Sequence, residues 1–72
     1  MTTLASMLVS ANGNPVELPD GATVAGLLDR LGLGGRVVVV ERNGEPVDRR
    51  EVDVTLLADG DRCEIVRAVA GG

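Results

Sequence analysis

The sequence predicts an α+β fold, a mixed sheet of four to five strands packed on one helix. Two Asn-Gly pairs, Asn12-Gly13 and Asn43-Gly44, each sit between strand-like runs. Such pairs are strong hairpin signals, because both residues accept positive φ. Between the hairpins, Val24, Leu27, Leu28 and Leu31 fall at i, i+3, i+4 and i+7 and make one apolar helical stripe. The segment from the first hairpin through the helix is long enough for a crossover, so a parallel strand pairing is allowed. With 72 residues the chain is expected to be a single domain over 1–72. Folding at this size hides only about 60% of the unfolded surface.

The elements follow in order. Residues 1–6 carry no clear pattern and are either an extension or the start of the first strand. Met7 to Ala11 reads as a strand, and Val16-Glu17-Leu18 as its return with one buried face. Pro19-Asp20-Gly21 closes that hairpin with turn residues. The helix is expected from about Thr23, its N-cap, to Leu31, with Gly32 ending it. Gly26 inside it costs roughly 1 kcal/mol against Ala, and a close approach to the sheet is the expected reason. Val37-Val38-Val39-Val40 is continuously β-branched, which predicts an interior strand buried on both faces. Pro46 cannot donate to a ladder, so the piece after the second turn is an edge strand or a loop. Asp48-Arg49-Arg50-Glu51 reads as a solvated surface turn, and Val54-Thr55-Leu56-Leu57 as a short strand or a strand-like approach. Asp59-Gly60-Asp61 is a turn; it lacks the further acids of a calcium loop. The last strand is Arg62-Cys63-Glu64-Ile65-Val66, with Cys63 and Ile65 on one face. Cys63 is read as a small buried apolar residue. Gly32-Leu33-Gly34-Gly35 is not a phosphate cradle, since it follows a helix, whereas phosphate-binding loops follow a strand and open a helix.

Composition removes several functions. There is no Phe, Tyr, Trp or His, and the net charge is −4. Base stacking therefore lacks its platforms and phosphate backbones are repelled, which excludes nucleic acid. One Cys without His leaves no zinc or iron–sulfur ligand set and no catalytic triad. All seven basic residues are Arg, so no lysine nucleophile exists. The longest apolar run, Val37 to Val40, is too short for a membrane span of about 20 residues. The start lacks the regions of a signal peptide, and the expected location is cytoplasmic.

The chain stops on Val69-Ala70-Gly71-Gly72. Glycines lack Cβ and reach narrow spaces closed to other residues. Such an end is either an ordinary frayed terminus or a thin arm, over about residues 68–72, carrying a carboxylate into another protein's active site.

The rest of the chain bears on that choice. Met7-Leu8-Val9-Ser10-Ala11-Asn12-Gly13 opens it. Gly21-Ala22-Thr23-Val24-Ala25-Gly26-Leu27-Leu28 starts the helix, and Val38-Val39-Val40-Glu41-Arg42-Asn43-Gly44-Glu45 makes the second hairpin. Leu57-Ala58-Asp59-Gly60-Asp61-Arg62-Cys63-Glu64-Ile65-Val66 then leads to Gly71-Gly72. In this order they resemble the β-grasp fold of ubiquitin-like proteins. Within that fold the chain is similar to the ThiS family, the sulfur carriers of thiamine biosynthesis, over residues 7–72. It departs from the family at Ala68, where an aromatic or bulky residue is common, and at Pro46-Val47-Asp48-Arg49-Arg50-Glu51-Val52.

The resemblance implies a non-enzymatic cosubstrate. Gly72 would carry an acyl-adenylate and then a thiocarboxylate, with Gly71 completing the slim tail. It implies no bound cofactor and no metal, with ATP consumed by the partner. The implied partners are a ThiF-type adenylyltransferase of the ubiquitin-activating class, a cysteine desulfurase or rhodanese-like sulfur donor, and a ThiG-type thiazole synthase. Val66, Arg67, Ala68, Val69 and Ala70 are the implied partner-binding residues, since they adjoin the tail and the core pattern does not claim them. The alternatives are the small subunit of molybdopterin synthase, which has the same tail chemistry, and a protein modifier conjugated to lysines.

Overall fold

Two hairpins and one helix account for the architecture. The computed structural model describes residues 5–68. Strand β1 (Ser6–Ala11) and strand β2 (Asn14–Pro19) form the first hairpin, and helix α1 (Val24–Arg30) follows. Strand β3 (Val38–Arg42) and strand β4 (Glu45–Val47) form the second hairpin. A 3-10 turn at Arg49–Glu51 then leads toward strand β5 (Arg62–Arg67). The strand order is β2-β1-β5-β3-β4. β5 runs parallel to β1 and antiparallel to β3, so the last strand fills the centre of the sheet. This is the mixed α+β sheet on one helix that the element order predicts. Among the described residues, no helix is long and apolar enough to cross a membrane.

The local causes are visible. Asn12 and Gly13 have φ of 51° and 86°, and Asn43 and Gly44 of 53° and 84°. Positive φ at both central residues matches the right-handed twist of a two-residue hairpin. Thr23 caps α1, its Oγ1 accepting from the Gly26 N–H at 3.2 Å. At the other end the Gly32 N–H donates to Asp29 and the Leu33 N–H to Leu28, a Schellman closure that uses Gly32 at φ 74°. α1 lays Val24, Leu27 and Leu28 on Met7, Val9, Ala11, Leu18, Val38, Val40, Cys63 and Ile65. Each such aliphatic side chain contributes about 1.5–3 kcal/mol when fully buried.

The structure corrects three expectations. β3 does lie inside the sheet, but its valines are not buried on both faces. Val38 and Val40 are 6% and 2% exposed, whereas Val37 and Val39 are 50% and 55% exposed. The cause is the single helix, which covers one face of the sheet only. Second, of the two readings of Val54 to Leu57, the short strand is not formed and the strand-like approach is. It pairs with none of the five strands and makes an isolated antiparallel bridge, Thr23 to Leu56. It also serves the start of α1, whose Val24 and Ala25 N–H groups donate to the carbonyls of Thr55 and Val52. Those N–H groups have no partner within the helix. Third, Gly26 is not required by contact with the sheet. A Cβ there would meet only Ala22 and Thr23 atoms at 3.8 Å, ordinary contact.

Candidate functional site

The site is built on the strand that leads to the C-terminus, so the question is what holds β5. Two asparagines do, one from each hairpin. Asn12 Oδ1 accepts from the Ile65 N–H at 2.7 Å and its Nδ2 donates to the Ile65 carbonyl at 2.9 Å. Asn43 Oδ1 accepts from the Arg62 N–H at 2.9 Å and its Nδ2 donates to Asp61 Oδ1 at 2.9 Å. A carboxamide offers donor and acceptor together, which neither Asp nor Gly supplies. The hairpin signal in the sequence thus conceals a second task, the holding of β5 at its start and its middle.

Asp61 anchors the start of β5. It is the buried acid of the described residues, 7% exposed. Burial pushes its carboxyl up, but the Asn43 amide, the Ala58 N–H at 2.8 Å and the Arg42 guanidinium at 3.3 Å outweigh this and hold it below the usual carboxylate value. Asp61 shares its parity with Cys63 and Ile65, which points all three inward; a reading as a turn residue overlooks that signal. Cys63 is buried as expected, and burial pushes its thiol up, away from the nucleophilic thiolate.

The Ala68 N–H donates to the Val37 carbonyl at 2.9 Å. Val66, Arg67 and Ala68 are all exposed, as a docking role requires. Val66 lies directly across from Val39, and the two are 64% and 55% exposed on the side of the sheet away from α1. Val37, 50% exposed, lies beside Ala68 and lines a groove next to it. Sequence reasoning misses Val37 and Val39, because a continuous valine run hides which members face out. Val69, Ala70, Gly71 and Gly72 lie outside the described residues. Beside Val37, on the helix side, the shallow groove of about 310 Å³ is lined by Leu28, Asp29, Arg36, Val38, Arg49 and Asp53 among others. Its charges are mixed and solvated, and it brings together no nucleophile and base. Among the described residues no three metal-ligating side chains converge. What the body offers is a central strand held by hydrogen bonds from both hairpins, with an exposed apolar pair, Val39 and Val66, near its C-terminal end.

The ThiS family model matches residues 8–72. The chain belongs to the ThiS family. The crystal structure of the thiamine biosynthesis protein ThiS from Geobacter metallireducens superimposes with a TM-score of 0.76. It is 33% identical, and the match covers 92% of this chain and all of that one. The solution structure of a thiamine biosynthesis protein from the same organism gives a TM-score of 0.72 at 35% identity, covering 92% of this chain and 88% of the other. The fold is therefore the β-grasp of ThiS proteins. A thiazole synthase of Magnetococcus marinus is 36% identical over 66 residues. One of Paramagnetospirillum magneticum is 38% identical over 66 residues. The match covers 92% of this chain but 20% of each relative, so the chain spans about a fifth of the curated relatives' length.

Proposed function

We propose that this ThiS-family chain is a sulfur carrier for thiazole formation in thiamine biosynthesis, loaded at the carboxylate of Gly72. The observation that carries the reading is family membership over residues 8–72, a match that includes Gly71 and Gly72. A central strand held by Asn12 and Asn43 and followed by exposed residues up to Ala68 supports it. A ThiF-type adenylyltransferase binds ATP and the tail together. The Gly72 carboxylate attacks the α-phosphorus, pyrophosphate leaves, and an acyl-adenylate forms. A persulfide from a cysteine desulfurase or rhodanese-like protein attacks the acyl carbon and AMP leaves. A second thiol then cleaves the S–S bond; it is oxidised to a disulfide and the tail keeps a thiocarboxylate. A ThiG-type thiazole synthase takes the sulfur, a recipient supported by the two synthases that contain a matching stretch.

The carrier's own part is presentation. Acid–base work belongs to the partners, and glycines leave the reacting carbonyl unhindered. Chain with Gly72 deleted is expected to fold with unchanged thermal stability yet lose pyrophosphate exchange with the adenylyltransferase and all sulfur acceptance. Intact mass of protein from cells should rise by about 16 Da on loading, sulfur replacing oxygen in a covalently held acyl group. A truncated chain that still accepts sulfur overturns the reading.

A further inference from the structure

The side of the sheet away from α1 carries a second row of side chains next to the valine patch. Glu41 of β3 lies directly across from Glu64 of β5, two residues along each strand from the Val39–Val66 pair. Side chains so placed have Cβ atoms about 4.5–5.5 Å apart, and like charges there are destabilising. Among the described residues the ion pairs are Arg42–Asp61 and Arg50–Asp48, and neither involves these two acids. Both glutamates are exposed. Glutamine would fill the same positions without repulsion.

We propose that Glu41 and Glu64, with Val39 and Val66, form the docking surface for the thiazole synthase, and that the synthase presents an arginine or lysine set among apolar side chains. This rests on the sulfur-carrier reading and names the surface by which the recipient recognises the body. Charge complementarity argues for it. The delivered group is an anion on a chain of net charge −4, so a protein that admits it needs positive potential around its entrance. Continuity argues for it too. Val66 precedes the tail by a few residues, so a partner gripping this row already holds the base of the arm. A guanidinium spanning both carboxylates converts the repulsion into charge-assisted hydrogen bonds.

The test is calorimetric titration of the full chain into the cognate thiazole synthase at low and high salt. E41Q/E64Q is expected to bind about a hundredfold more weakly at low salt, roughly tenfold for each charge-assisted hydrogen bond removed. Its salt dependence should flatten, while its Tm rises because the repulsion is gone. Glu17→Gln, two strands away on β2, should match wild type. Unchanged affinity in E41Q/E64Q overturns the proposal, as does a weaker affinity accompanied by a fall in Tm, which marks a structural role. If wild-type chain binds no thiazole synthase, the recipient assignment fails and this surface falls with it.

Discussion

The two faces of the sheet are made from the same strands and do opposite things. On the covered face, Val9, Val38, Val40, Cys63 and Ile65 meet Val24, Leu27 and Leu28 of the helix. On the open face, Leu8, Val39 and Val66 remain more than half exposed beside Glu41 and Glu64. Four consecutive valines contribute to both. Val38 and Val40 stabilise the domain, and Val37 and Val39 stay half exposed. The difference shows that in a domain with one helix, aliphatic character does not mark the core. Only the side on which the helix lies does.

Substitutions put that division between the faces under strain. The largest effect on folding is expected for Leu27→Ala on the covered side, a loss of about 2–5 kcal/mol. That removes most of the stability a domain this small possesses, and urea denaturation measures it. Asp61→Ala should come next, at about 1–3 kcal/mol, because the Asn43 amide and Ala58 N–H lose their acceptor. The same group sets an acid limit. Its folded pKa lies below the ordinary 3.8, so its contribution is complete above the unfolded value and is lost as pH falls through the folded one. Melting curves from about pH 6 down to about pH 2 should therefore show the wild type losing stability more steeply than Asp61→Asn. Gly26→Ala should raise stability by about 0.5–1 kcal/mol, since the helix gains a better former and the new methyl meets nothing closer than 3.8 Å. The smallest effect on folding belongs to the open side. Val39→Thr, which keeps the β-branched shape, should alter stability by no more than about 0.5 kcal/mol while weakening partner binding by calorimetry. If it unfolds the chain instead, the two faces are not divided as described.

Much of the fold is readable from the chain, and particular residues show why. Asn12-Gly13 and Asn43-Gly44 specify their turns locally, because positive φ at both positions is a property of those residues. The helix is legible from its stripe, and its ends from Thr23 and Gly32. Asp61 is not legible as a hub, because its partners come from Arg42, Asn43 and Ala58, two of them 19 and 18 positions away. Nor is the segment from Val52 to Leu57. Its local preference for a strand is sound, but its backbone groups are engaged around the start of α1, through the Val52 and Thr55 carbonyls and the Leu57 N–H, and not along a sheet edge.

Read alone, the amino-acid order dictates the hairpins, the helix, the succession of elements and the family, since these follow from local backbone preference, short-period patterning and motif order. It also dictates what chemistry is absent, because a chain without His or Lys has a limited set of reactive groups. Three-dimensional packing settles which valines are buried, that Asn12 and Asn43 clamp the last strand, and that Glu41 stands opposite Glu64. Those facts depend on register between strands distant in the chain and on which side of the sheet the one helix covers, and neither is encoded in any single stretch.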